Sequence, residues 1–321
     1  MSVDDPQIAR AWNDTRMTAL FTHLNCLEHE MGARHPERPA RLAAVLMHLD
    51  ETGLYADLDV HEAPEAQRAD LARVHGEAFL DDLAERSPDE GLVRLDPDTA
   101  MGPGSLRAAR TAAGAAVAGV ELVLSHAEKR AFCAVRPPGH HAEVSQAMGF
   151  CFFNSVAVAA ARALSDPDIE RVAILDFDVH HGNGTVAAFM DNPDVLVCSS
   201  FQFPFYPYRL QDVDRPNIVN TPLPAGTRGA DFRKALESDW LPALDNFKPH
   251  LILVSAGFDG HAEDPLAGLL LTEEDYAWVT DLITDAADRH ADGRIVSMLE
   301  GGYDLGSLSR SVAAHVEGLM G

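Results

Sequence analysis

RVAILDFDVHHGNG, residues 171–184, opens as a run of aliphatic and β-branched side chains and closes on two carboxylates, two imidazoles and two glycines. The apolar half has the length and composition of a strand buried on both faces, as strands of a parallel sheet are. The polar half begins where such a strand should end, and it brings Asp176, Asp178, His180 and His181 to one place. In an extended chain the side chains at i and i+2 leave on the same face, so Asp178 and His180 can reach a single ion.

The same pattern recurs along the chain. Strand-like runs stand at AFCAV (131–135), DVLVCS (194–199), LILVSAG (251–257) and RIVSML (294–299). Apolar residues spaced three and four apart predict helices over 105–124, 155–165, 230–247, 272–290 and 305–319. Strands alternating with Ala-rich helices predict an α/β fold: a three-layer α/β/α sandwich around a mainly parallel sheet. No linker, low-complexity tract or internal repeat interrupts 1–321, which reads as a single domain. The first residues, MSVDDPQIARAWNDTRM, are polar with early acids and lack the basic-then-apolar pattern of a signal peptide. A loose extension over 1–16 is expected, with the first ordered segment near MTALF (17–21).

Composition narrows the function. The 321 residues are 46% hydrophobic, enough for a substantial core, and no apolar run is long enough to span a membrane. Four scattered cysteines (Cys26, Cys133, Cys151, Cys198) fit reduced thiols of a cytoplasmic protein better than a disulfide framework. Acids number 50 against 25 bases, for a net charge of -25, and only Lys129, Lys234 and Lys248 are lysines. That field opposes nucleic-acid binding, which needs clustered cations. It attracts cationic partners such as lysine-rich peptides or polyamines, and it is also what solubility or tolerance of high salt produces.

Four polar clusters fall just past strand ends: RPPGHH (136–141), DFDVHHGNG, FDGHAEDP (258–265) and EGGYD (300–304). In open α/β sheets the ligand crevice lies outside the carboxyl ends of the strands, so these loops should converge. An isolated Asp-x-His is ordinarily a solvated loop; four such clusters at matched strand ends argue for a site. Asp178, His180 and Asp259 then make an N/O set suited to zinc with a coordination position left open. His140 or His141 can move protons near neutral pH, with Asp176 and Asn183 as candidate orienters. The hydroxyl of Tyr303 can polarise a carbonyl and hold an oxyanion. Together these parts describe metal-assisted amide hydrolysis. The chain has no Gly-Lys-Ser/Thr phosphate loop, no His-Glu-x-x-His and no Gly-x-Ser-x-Gly.

With HPERPAR (35–41), RPPGHHAE (136–143), GFCFFNSVAVAA (149–160), DFDVHHGNGT and EGGY, the sequence resembles the zinc-dependent histone deacetylases over nearly its whole length. It is most similar to their class II branch and its bacterial relatives, and the resemblance implies the arginase/deacetylase fold. It implies zinc on Asp178, His180 and Asp259, with His141 as general base and His140 as the assisting imidazole. Asp176 and Asn183 would orient the histidines, Asn183 being the class II form of a position that is Asp elsewhere. Tyr303 would polarise the acyl carbonyl. The substrate would be acetylated (acylated) lysine in a protein or peptide, cleaved by water that the metal activates.

By the same resemblance, Gly149, Phe150 and an aromatic of FQFPFYPY, assigned to Tyr206, would line a narrow tunnel. Leu266 would stand at its gate, and Arg41 beside an inner channel for the acid product. Carbonyls of Asp176, Asp178 and His180 with the Ser199 hydroxyl match a structural potassium site. Carbonyls of Phe189, Asn192 and Val195 are candidates for a second ion. His181 carries no assigned chemistry. Phe201 stands where relatives usually carry histidine, a change expected at the rim.

Three rivals remain at this point. A dimanganese ureohydrolase wants Asp-x-Asp before Asp-Pro, whereas here the second position of Asp259-Gly-His261 is an imidazole. An acetylpolyamine hydrolase of one branch of the family carries a gate glutamate where this chain has Leu266. A non-catalytic binding protein would need a defect in machinery that is complete. His23, Cys26, His29 and His35 could make a second zinc site, but an entrance loop with scattered polar side chains is the better reading.

Overall fold

The structure is a computed structural model and describes residues 18–321; the extension expected over 1–16 lies outside the described residues. The described residues form ten strands: β1 (Ala19–Thr22), β2 (Asp59–Glu62), β3 (Val93–Arg94), β4 (Ala100–Met101) and β5 (Arg130–Cys133), then β6 (Val172–Asp176), β7 (Val195–Gln202), β8 (Ile218–Leu223), β9 (Leu251–Ala256) and β10 (Ile295–Leu299). Eight of them form one sheet in the order β2-β1-β5-β10-β9-β6-β7-β8, and every pairing in it is parallel. The short β3–β4 pair is antiparallel and separate.

Helices cover the sheet on both faces, giving the expected three-layer arrangement. They are α1 (Ala40–Glu51), α2 (Arg68–Leu71), α3 (Glu77–Arg86), α4 (Ser105–Leu124), α5 (Ser155–Ala163), α6 (Asn183–Phe189), α7 (Gly229–Phe247), α8 (Glu273–His290) and α9 (Leu305–Met320). The central strands β6, β7, β9 and β10 are buried along their entire length, which is why they read as unbroken apolar runs. Helix α4 is built from Ala, Gly and Val, and its many buried small residues let it lie close on the sheet. Helix α8 starts in a capping box between Thr272 and Asp275, has three acids in its first turn and ends on Arg289 and His290, so its dipole is complemented at both ends.

Register explains how the site is assembled. Asp176, the last residue of β6, lies opposite Ser255 on β9 and Ser199 on β7. The polar loops after β6, β9 and β10 therefore leave the sheet side by side. Helix α9 begins on Asp304, whose side chain accepts the Ser307 N–H at 2.9 Å, so the helix starts immediately after Tyr303 and anchors its loop.

The five expected strands and five expected helices are all present. Helices α1, α2, α3 and α6 and the short β3–β4 pair were not anticipated, β1 was expected only as an ordered segment, and strands β2 and β8 were missed as well. The two strands are the sheet's edges. There, alternating or Pro-containing stretches such as Asp59–Glu62 and Ile218–Leu223 suffice, because only one side needs pairing. Strand β7 continues through Phe201, which is fully buried and packs edge-on against His181 with ring centroids 4.7 Å apart. Phe201 is thus buried between His181 and Phe203 rather than exposed at a rim, against expectation.

Candidate active site and metal centre

The loop after β6 turns back on itself through its own carboxylates. Asp176 Oδ1 accepts the Asp178 N–H at 3.1 Å, and Asp178 Oδ1 accepts the His180 N–H at 2.9 Å. These turns hold Asp178 and His180 toward Asp259, which follows β9. One ligating atom from each of the three lies within 4.8 Å of the others, and they form the sole such metal-ligating group among the described residues. Asp178 Oδ2 accepts the Gly301 N–H at 2.9 Å, and Asp259 Oδ1 accepts the Val179 N–H at 2.9 Å. Gly301 has to be glycine, because a Cβ there would stand 2.0 Å from Asp259 Oδ2.

The triad fits a divalent ion on its own chemistry. Asp259 Oδ2 is buried without a hydrogen-bond partner, although His180 Nδ1 is 3.2 Å away. Such an orphaned, buried carboxylate oxygen calls for a cation. Burial opposes charge on His180, yet Asp178 and Asp259 outweigh it and hold the imidazole above its ordinary pKa, so the cluster draws positive charge to the point where the three donors meet. Burial pushes the Asp259 carboxyl up, with the charge of Asp178 adding to it, as expected for acids that share too little compensation.

The RPPGHH loop brings two imidazoles beside this group, with ring centroids 4.0 Å apart. His140 Nδ1 is 2.9 Å from Asp176 Oδ2, and His141 Nδ1 is 2.7 Å from Asn183 Oδ1. The two rings are tuned in opposite directions. Burial depresses His140, but Asp176 and Asp178 overcome it and hold its pKa well above the ordinary value. Burial, then the neighbouring His140 and His180, push His141 well below it. One ring therefore carries a proton while its neighbour offers a lone pair, the division that acid–base work requires. Asn183, the first residue of α6, reaches His141 from the opening stretch itself.

Tyr303 is buried, and burial raises its phenol well above the usual range, so it stays a proton donor. Its ring meets Phe150 edge-on at 5.8 Å. Tyr206 stands edge-on to His141 at 5.2 Å and to His180 at 6.0 Å. Phe150 and Tyr206 thus bracket the site. Gly149, at φ +57°, lies where a Cβ would meet the His141 ring at 2.4 Å, so the backbone can pass the imidazole here only as glycine. Leu266 is 36% exposed, and its N–H is fixed by Asp264 Oδ1 at 2.9 Å.

Arg41 is fully buried behind the EGGY loop and donates to the carbonyls of Gly302 and Glu300, both at 2.5 Å. Its guanidinium carbon sits 4.9 Å from the centre of the Tyr303 ring. Ser199 is buried and accepts the Gly182 N–H at 3.4 Å. Among the described residues no backbone N–H outside the helices and strands meets the carbonyls of Asp178 or His180. The second cradle is different: Asn217 Nδ2 donates to the carbonyls of Phe189, Asn192 and Val195 at 2.8, 3.0 and 2.9 Å. An amide nitrogen fills the position expected for a second ion. His23, Cys26, His29 and His35 do not gather; His29 pairs with Ser105 and His35 packs on Phe150. His181 Nε2 donates to Asn220 Oδ1 at 3.0 Å and adds nothing to the candidate metal group.

Several supporting acids were not assigned from sequence. Glu300 accepts the N–H groups of Gly139 and His140 at 2.6 and 3.2 Å and the Ser255 hydroxyl at 3.0 Å, tying the histidine loop to β9 and β10. Glu37 is buried and grips Arg136 bidentately at 2.5 and 2.6 Å while also receiving Arg41 at 3.2 Å. Asp264 Oδ2 accepts the Tyr303 N–H at 2.7 Å. Glu143 Oε1 accepts from Asn183 at 2.8 Å. A charged side chain directly after a buried strand, as Glu300 is, was the available signal; Glu37 and Arg136 are too far apart in sequence for any local pattern to show their pairing.

An open parallel sheet whose strand ends gather a candidate metal-ligating triad, two oppositely tuned imidazoles and a buried phenol has the build of a hydrolase on the arginase/deacetylase fold. Within that class the chain belongs to the histone deacetylase family: residues 35–319 match the model of the histone deacetylase domain. It is 40% identical to the histone deacetylase-like amidohydrolase of Pseudomonas aeruginosa, over 90% of this chain and 82% of that protein. It is 37% identical to human polyamine deacetylase HDAC10, over 89% of this chain and 44% of that protein. The crystal structure of the HDA15 HD domain superposes with a TM-score of 0.90 at 34% identity, covering 95% of this chain and 88% of that one. No helix among the described residues is long and apolar enough to cross a membrane.

Proposed function

We propose that the protein is a zinc-dependent deacylase that removes acetyl or related acyl groups from the side-chain amide of lysine in proteins or peptides, with the chain acting as one catalytic domain. What carries this reading is the meeting of the Asp178–His180–Asp259 triad with an imidazole whose far nitrogen is already engaged, His141 on Asn183 at 2.7 Å. Zinc held by the triad would supply Lewis acidity toward the acyl carbonyl and the attacking water. His141 receives the water's proton at Nε2 as the oxygen–carbon bond forms, and returns it to the nitrogen as the carbon–nitrogen bond breaks. His140, kept cationic by Asp176 and Asp178, offsets negative charge as it develops. The Tyr303 hydroxyl donates to the acyl oxygen as it becomes an oxyanion. Phe150 and Tyr206 line the approach for a methylene chain, with Gly149 between wall and base. A potassium ion on the carbonyls of Asp176, Asp178 and His180 and the Ser199 hydroxyl would brace the same turn.

Two further features support the reading. His261 turns toward Glu273, 3.5 Å away, and stays out of the triad, which argues for one metal and against a dimanganese ureohydrolase. The four cysteines are unpaired and buried, consistent with work in a reducing cytoplasm. An acetylpolyamine substrate is the second reading, favoured by the similarity to a polyamine deacetylase and by the net charge of -25. Leu266 at the gate speaks for lysine, because a neutral side chain gives the second ammonium of a polyamine no partner.

Elemental analysis of the purified protein should find one zinc per chain, and Asp259→Asn should lose both the metal and acetate release while remaining folded. Two ions per chain together with urea release would overturn the assignment.

A further inference from the structure

Asn183 can present either end of its amide to His141, and the two choices have opposite consequences. With Oδ1 facing the ring, His141 carries its proton on Nδ1 and keeps a lone pair on Nε2. With Nδ2 facing the ring, Nδ1 must accept, the proton moves to Nε2, and the ring has no lone pair left for an incoming proton. The imidazole alone does not decide between them. The neighbour on the far side of Asn183 does: Glu143 Oε1 lies 2.8 Å from Asn183 Nδ2. A carboxylate only accepts, so turning the amide over would set two oxygens against each other at that distance. The other partners of Nδ2, the His141 carbonyl and Met148 Sδ, are both 3.4 Å away and are weaker.

We propose that Glu143 is a positioning residue that fixes the amide of Asn183 and, through it, the proton of His141 on Nδ1. The inference rests on the reading of His141 as the base. Glu143 is itself held from outside the site: its other oxygen receives Arg209 Nη2 at 2.9 Å. Its side chain is 15% exposed and that of Arg209 is 44% exposed, so the chain of contacts runs from the surface to the imidazole. Arg209 follows Tyr206 by three residues in the segment between β7 and β8. The loop that supplies the tunnel wall therefore also steadies the acid that sets the base.

Histidine-selective nitrogen NMR reads this directly, without substrate. In the zinc-loaded parent His141 should show the Nδ1–H form. Glu143→Leu should populate the Nε2–H form, lower kcat by about 10- to 100-fold as loss of a supporting partner does, leave KM near its parent value and alter the pH profile. Glu143→Gln keeps an acceptor oxygen for Asn183 and should restore most of the activity and the Nδ1–H signal. An Nε2–H form in the parent, or unchanged kcat and tautomer in Glu143→Leu, would overturn the proposal. If the parent hydrolyses no acetylated amine at all, it is the functional reading that fails, and the tautomer in parent and variants still decides the role of Glu143.

Discussion

At the scale of single residues the site works by giving similar side chains different surroundings. His140 and His141 are neighbours in sequence, yet one faces two carboxylates and the other an amide. Asp176 faces the His140 ring, while Asp178 two residues on joins His180 and Asp259. Tyr303 is the residue whose role depends on one atom, its hydroxyl oxygen. Tyr303→Phe should keep the fold and zinc content and lower kcat by about 10²- to 10³-fold, the usual cost of removing one oxyanion donor. Steady-state turnover of an acetyl-lysine peptide checks this, and parent-like kcat would remove Tyr303 from the chemistry. The convergence of Asp178, His180 and Asp259 beside the histidine pair was legible in the sequence because each lies in a polar cluster just past a strand end. Glu143, Glu37 and Asp264 were not, because their partners lie 40, 99 and 39 positions away and nothing local marks them.

At the scale of elements, buried polar side chains stitch the helices to the sheet. His315 on α9 is fully buried, 2.6 Å from the Thr280 hydroxyl on α8 and 2.8 Å from the Ser297 hydroxyl on β10. Burial lowers its pKa to about 3. The unfolded histidine titrates near 6.5, so below that pH the unfolded chain binds a proton that the native chain refuses. Stability from this site is complete above about 6.5 and declines as pH falls toward 3, at about 1.4 kcal/mol per pH unit. His75 and His181, each lowered by burial to about 4, act in the same direction. Urea unfolding at pH 7 and pH 5 should show a smaller drop in midpoint for His315→Gln than for the parent. Equal drops would mean that the imidazole is not buried as described. The long central strands and helices were visible in the sequence through their hydrophobic period. The edge strands β2 and β8 were not, since four to six half-covered residues carry too little pattern to stand out from loop. Helix α6 was hidden for a related reason: its first residues, Asn183 and Gly184, belong to a motif that reads as a turn.

At the scale of the whole molecule the dominant quantity is charge. A net -25 on 321 residues makes the folded state repel itself, and the repulsion acts between exposed groups that salt can screen. The melting temperature should therefore rise as salt increases from low to molar concentration, with activity retained; a marked loss of folding over that range would contradict this reading of the surface. The same field favours cationic substrates of either kind, so charge alone cannot separate lysine from polyamine. In the proposed reading the separation rests on Leu266, a neutral side chain at the position where one branch of polyamine hydrolases carries a gate glutamate. The measurement that bears most directly on the proposed activity is acetate release by the zinc-loaded parent from an acetyl-lysine peptide, run beside acetylputrescine and acetylspermidine. The higher kcat/KM should belong to the peptide. A clear preference for the polyamines, or no acetate from any of the three, would contradict the account.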